Sequence, residues 1–237
     1  MSEWKARRFW KRASVREADG GWEVVLDERP LRTPGKQPLT LPAEALACAV
    51  CAEWDAQEDV IDPNRMPLTR AANSAIERVR PSMTAVADML AEYGGTDLLS
   101  YRAEQPEDLV RRQAEAWDPL LDWAATGLQA PLRVTQGVVP VAQDPAVLAR
   151  LRAHLDGLDE FALTALHDLV TLPGSLIIGL AVLHQRIDAD GAFHLSRIDE
   201  TFQAERWGSD EEAAEAAAGR RDALLVAERF HNLSRRG

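Results

Sequence analysis

Gly20-Gly21-Trp22-Glu23-Val24-Val25-Leu26 and, beyond Pro42, the set Ala47, Val50, Cys51 and Trp54 decide the class of fold. The first stretch nearly alternates behind a glycine pair, the pattern of a strand leaving a hairpin turn. The second places apolar residues at i, i+3, i+4 and i+7, one face of a helix running to about Gln57. Between them lie Asp27-Glu28, Arg29-Pro30-Leu31-Arg32 and a second turn at Thr33-Pro34-Gly35-Lys36, after which Leu39 and Leu41 alternate with Pro38 and Thr40. The prolines mark strand edges or ends. A small antiparallel meander that gives way to helices is predicted.

Outward from that junction, Asp62-Pro63-Asn64 breaks the first helix. Helical spacing then recurs over about 67–78, 82–93, 106–125, 145–156, 159–184, 190–207 and 210–232. Leu132 to Val141 is Val-rich with Gly137 and Pro140, and reads as an extended segment or short strand. The class is therefore α+β, with a small β-rich N-terminal α+β domain over 1–80 and a larger helical domain over 81–237. The apolar run from Leu169 to Leu183 is shorter than the ~20 residues that span a bilayer, and it contains Pro173 and Gly174. A buried helix is expected there, with no membrane insertion. No apolar stretch follows the charges of Trp4–Trp10, so no secretory signal is expected and the chain reads as a soluble, cytoplasmic-type protein.

Charge narrows the partners. The net charge is −11, although the first 36 residues are net basic. So acidic a chain gains nothing from a phosphate backbone, and nucleic-acid binding is not expected outside the basic N-terminal segment, where a third reading places it with a strong salt dependence. Seven tryptophans against two tyrosines point to anchored packing or a contact surface.

Few motifs carry chemistry. Cys48-x-x-Cys51 lies inside a predicted helix instead of at its start, where a dipole would lower a thiol pKa, and no second pair completes a zinc site. Both cysteines are expected to be buried small hydrophobes. Asp188-Ala189-Asp190-Gly191 lacks the remaining ligands of a calcium loop and reads as a turn. Ser175 follows Gly174 but has Pro173 and Ile177 around it, so it is no nucleophile elbow. No glycine-rich phosphate cradle, metal spacing or cofactor signature is present.

One helix stands apart. On a single wheel through Leu195–Gly208, Leu195, Ile198, Phe202 and the aliphatic part of Glu205 share the inner face. Ser196, Glu200, Gln203 and Trp207 fall opposite, with Asp199 at the flank. A tryptophan among acids on a solvent face suggests a contact surface. The competing reading has Trp207, beside Gly208, fold back into the next helix.

Taken in order, several blocks resemble one family. They are Arg8-Phe9-Trp10-Lys11, Leu26 to Pro34, Glu53-Trp54-Asp55-Ala56-Gln57 and Met66 to Asn73. Then come Thr96 to Arg102, Gln113 with Trp117-Asp118-Pro119-Leu120, Val134 to Val138, Gly174-Ser175-Leu176, and Glu200 through Gln203 to Trp207-Gly208. The pattern is similar to the ATP-twelve family, assembly chaperones of the ATP synthase α subunit. Glu28, Ala71 and Thr201 depart from it; at Thr201 a third acid is usual. The resemblance implies an α+β domain joined to a helical one, no enzymatic activity, no cofactor, and the α subunit as client of what is expected to be a monomer. It also implies that the acids before Trp207 matter, which makes Asp199, Glu200, Gln203, Glu205 and Trp207 the candidate client-binding residues.

Trp54, Asp55, Arg70, Asn73, Asp97 and Arg102 are read as structural or domain-junction residues. A runner-up reading gives Asp55, Arg70, Asn73, Asp97 and Arg102 to an enzyme or small-ligand site at that junction. Polar residues flanked by apolar runs serve buried hydrogen-bond networks equally well.

Overall fold

The computed structural model describes residues 6–137, 139–208 and 210–235. Val138, the last residue of the Val134–Val138 block, lies outside them. The chain groups into two compact units: Met1–Ser82 with Asp159–Thr164 and Arg229–Gly237, and Met83–Leu158 with Ala165–Glu228.

In the first unit, β1 (Ala13–Ala18) and β2 (Gly21–Leu26) form an antiparallel hairpin in which Ala18 faces Gly21 and Ala13 faces Leu26. Its loop is the pair Asp19-Gly20, with Gly20 at φ 86°, a left-handed conformation that glycine adopts without steric cost. β3 (Arg29–Pro30) and β4 (Thr40–Leu41) both pair antiparallel with β2, which is therefore the central strand. The meander is as predicted. A Cβ on Gly21 would stand 2.2 Å from the Leu41 carbonyl oxygen, so only glycine lets β4 approach there. The second turn closes with Lys36 N–H donating to the Thr33 carbonyl at 2.8 Å.

Helix α1 (Glu44–Asp55) packs on β1 and β2 through Leu46, Ala47 and Val50. The expectation for the cysteines fails at Cys48, which is exposed, while Cys51 is half-buried. Residues adjacent in a helix point about 100° apart, so Cys48 turns outward when Leu46 and Ala47 turn in. Both thiols are free.

Helix α2 (Pro67–Ser74) starts with a proline, which needs no N–H partner there. Its next two amides are taken by one carboxylate: Glu53 accepts from Leu68 N–H at 2.7 Å and from Thr69 N–H at 2.8 Å. A wider π turn, Ala75–Val79, and a 3-10 turn, Arg80–Ser82, carry the chain on.

The second unit opens with α3 (Met83–Glu92), then β5 (Tyr101–Arg102), α4 (Glu107–Gly127) and β6 (Thr135–Gln136), with β5 and β6 paired in parallel. α5 (Pro145–Ala153) follows, capped by the Asp144 carboxylate. The single helix predicted over 159–184 is two, α6 (Glu160–Thr171) and α7 (Leu176–Leu183). Gly174 at φ 73° ends one, and Ser175 Oγ caps the other by accepting from Ile178 N–H at 3.0 Å. α7 is buried from Leu176 to Val182, as its unbroken apolar run implies. Where a turn is expected at Asp188–Gly191, Asp188 caps α8 (Ala189–Ser196) by accepting from Gly191 N–H, and the three residues after it form the first turn of the helix. α9 (Ile198–Trp207) and α10 (Glu211–Ser234) complete the chain. No helix among the described residues is long and apolar enough to cross a membrane.

Asp97 ties the α7 start to the segment before β5. Its fully buried carboxylate accepts from Ser175 Oγ at 2.7 Å, Leu99 N–H at 3.0 Å and Ile177 N–H at 3.1 Å. Burial pushes its pKa up to about 6, against the opposing pull of those hydrogen bonds. The unfolded carboxyl titrates near 3.8. Over the interval between these values the folded protein keeps a proton that the unfolded chain has released. The stability due to this group is thus complete below the lower value and lost as pH rises through the higher one. In urea titrations, the advantage of the native protein over Asp97→Asn is expected to be larger at about pH 5 than at about pH 7. Asp97→Ala, which strands three donors, is expected to cost about 3–5 kcal/mol.

Candidate functional site

The five candidate client-binding residues all lie on α9, but not on the wheel that one continuous helix would give. Arg197, at φ −120° and ψ 22°, separates α8 from α9. Trp117, fully buried on α4, donates its indole N–H to the Leu195 carbonyl at 2.9 Å. In an unbroken helix that carbonyl would receive the amide of residue 199. The expected helix over 190–207 is therefore interrupted, and the residues before and after Arg197 do not share one face.

α9 is held against α4 from several directions. Phe202, 4% exposed, is the inward side chain, flanked by the Arg206 guanidinium at 4.3 Å from its ring centre and by Arg112 at 5.3 Å. Arg112 also pairs with Glu205 at 2.7 Å, and Arg206 reaches Asp108 at 3.6 Å. Glu205 is consequently an exposed ion-pair partner, where an inward aliphatic contact was expected. The wheel reads only periodicity, and a long stem reaching a cation on the next helix overrides it.

Asp199 is half-buried, and its Oδ1 accepts from Gln113 Nε2 at 2.6 Å. Gln113 is itself buried, and its Oε1 accepts from Ala103 N–H at 2.8 Å. The chain Ala103–Gln113–Asp199 thereby fixes the first turn of α9. Glu200 and Gln203 are exposed, and neither has a hydrogen bond or ion pair among the described residues. Trp207 is 77% exposed at the helix end, followed by Gly208 at φ 90°. It does not fold back. The result is a helix with a pinned inner side and an outer side of Glu200, Gln203 and Trp207.

The remaining candidates sit in networks of their own. Trp54 packs its ring on Trp10 at 5.2 Å between centres, with its indole nitrogen buried and unpaired among the described residues. Asp55 is exposed and pairs with Arg8 at 3.5 Å. Arg70 is exposed; Asn73 Oδ1 is buried without a hydrogen-bond partner among the described residues, and no hydrogen bond joins the two. These four belong to the first unit, whereas Asp97 and Arg102 belong to the second. Arg102 donates to the Leu99 carbonyl at 3.0 Å, pairs with Asp118 at 2.7 Å and lies over the Trp117 ring. Within the second unit, Asp97 and Arg102 both bond to the backbone of Leu99, one at its N–H and the other at its carbonyl. Among the described residues no group of three or more His, Cys, Asp or Glu gathers as a metal site.

Sequence reasoning passed over Arg112, Gln113 and Trp117 as site residues. Gln113 and Asp199 are 86 positions apart, so no local period links them. The one available signal was that Gln113 and Trp117 stand among the family-like blocks.

The inner and outer sides of α9 are expected to respond differently to truncation. Phe202→Ala should lower the free energy of unfolding by about 3 kcal/mol or more, and Trp207→Ala should leave it within about 0.5 kcal/mol, both read from urea midpoints.

Comparison with known proteins gives a consistent result. The family model described as ATP12 chaperone protein matches residues 7–125. The crystal structure of Atp12 from Paracoccus denitrificans is 68% identical, with a TM-score of 0.96 over 98% of this chain and 100% of that one. A candidate chaperone from Agrobacterium tumefaciens is 38% identical, with a TM-score of 0.91 over 95% of this chain and 85% of that one. The mitochondrial protein atp12 of Schizosaccharomyces pombe is 26% identical over 88% of this chain and 76% of its own length.

Proposed function

The chain belongs to the ATP12 chaperone family, and from that premise we propose that it is an assembly chaperone of ATP synthase that covers the unassembled α subunit of the catalytic head. The observation that carries the reading is Trp207, a large aromatic 77% exposed on the same helix as the unpaired Glu200 and Gln203. An exposed aromatic beside unsatisfied charge is the composition of a binding hot spot with a polar rim. Nothing on that side of α9 is engaged by the rest of the described chain, while the inner side is held by Phe202 and two ion pairs. The helix is thus presented as a rigid ridge.

The work required is physical, with no bond made or broken. A subunit awaiting its neighbours exposes apolar surface that drives aggregation. A chaperone that binds this surface more weakly than the final β subunits do suppresses aggregation and yields to them by mass action, without ATP. Aromatic area supplies the affinity, and acidic residues set specificity and speed of encounter. In this reading Asp199 positions the helix, and Glu200, Gln203 and Trp207 meet the client. The protein acts as a monomer in a bacterial cytoplasm.

Purified α subunit diluted from denaturant should scatter less light with the wild-type chaperone present. Glu200→Lys should abolish that protection with an unchanged circular dichroism spectrum, and Trp207→Ala should weaken capture about tenfold or more. Co-purification should recover α and not the β subunit. Full protection by Glu200→Lys would remove the assignment of this face.

A further inference from the structure

Beside α9 the second unit contains a cavity of about 230 Å³. Its floor is apolar, built from Trp117, Leu172, Phe193 and Leu224, and its rim carries Arg197, Arg220, Asp199 and Glu200. Three observations set it apart. Among the described residues of the second unit, Arg186, Arg197 and Arg220 are the arginines whose guanidinium makes no hydrogen bond or ion pair, and two of these three line this one hollow. Arg197 is held only by its stacking over Phe193, at 5.4 Å from the ring centre. Glu200 likewise has no hydrogen bond or ion pair among the described residues, whereas Asp199 is occupied by Gln113.

Size separates the possible occupants. Sites for cofactors and metabolites enclose roughly 300–1,000 Å³, more than this hollow offers. One or two side chains fill it. A half-buried guanidinium stacked on an aromatic ring, with a second, exposed one on the same rim, favours a carboxylate beside an apolar group, since the ring holds the stem while the fork binds the acid. On the other part of the rim the free Glu200 favours a cation and repels a second acid.

We propose that this hollow is the specificity pocket for the client: it seats one apolar side chain of an extended client segment, with a neighbouring acidic residue on Arg197 and Arg220 and a basic one on Glu200. The proposal rests on the reading of α9 as the client face and sharpens it from a ridge to a ridge with a socket. Trp207 supplies contact area outside the socket; the socket reads the sequence of the client.

A photoreactive p-benzoylphenylalanine in place of Ser196, which lines the hollow, is irradiated with purified ATP synthase α subunit, and the crosslinked peptide is identified by mass spectrometry. The same probe in place of Trp207 is the companion. Both positions should crosslink, and the peptide captured from position 196 should carry an apolar residue between an acidic and a basic one. In parallel, the double variant Arg197→Glu with Arg220→Glu should bind the α subunit about tenfold or more weakly, with circular dichroism unchanged. Crosslinking from position 207 with none from position 196 overturns the socket and leaves the α9 face standing. Crosslinking from neither position, with wild-type capture intact, removes both. A peptide from position 196 with no charged neighbours also overturns the socket.

Discussion

The indole N–H of Trp117 on the Leu195 carbonyl is the contact on which the candidate site depends. A buried N–H needs an acceptor, and here it takes one that a continuous helix would have used internally. The helix accordingly stops at Ser196 and restarts at Ile198. Four residues before Trp117, one turn along α4, Gln113 binds Asp199 and sets the direction of the restarted helix. Two polar side chains on one buried face thereby determine where Glu200, Gln203 and Trp207 point.

The arginines around α9 complete this arrangement. Arg112 and Arg206 each bring a cation to Phe202 and an ion pair to an acid, Glu205 and Asp108 respectively. Exposed ion pairs contribute little singly, about 0–1 kcal/mol. Their value here is geometric: they restrict rotation of a helix that buries only one large side chain. A ridge fixed in this way meets a partner without ordering itself first, which reduces the entropy lost on binding. Asp97 has the same role deeper in the unit. One carboxylate closes the amides at the start of α7 and the turn at Leu99, and burial raises its pKa in return.

Local chemistry was read correctly where it was sufficient. The hairpin at Gly20-Gly21, the helix through Ala47 and Val50, and the buried run of α7 follow from turn geometry and from periods of 2 and 3.6. Asp188-Ala189-Asp190-Gly191, a turn by its composition, is instead the cap and first turn of α8. Errors arose where a distant group decided. Cys48 belonged to no stripe and faces solvent. The helices drawn through Gly174 and Arg197 are each broken. Glu205 turned to a cation 93 positions away.

By itself, then, the sequence determined the α+β class, the strand meander that precedes the helices, and, through its ordered blocks, the chaperone family. Those are properties of neighbours along the chain, and propensity, patterning and turn chemistry act at that range. Only the tertiary structure decided that α9 is separate from α8, that Asp199 faces inward to Gln113, and that Trp207 remains outside. Each of these is settled by which buried donor finds which acceptor, and that pairing exists only once α4 and α9 lie side by side.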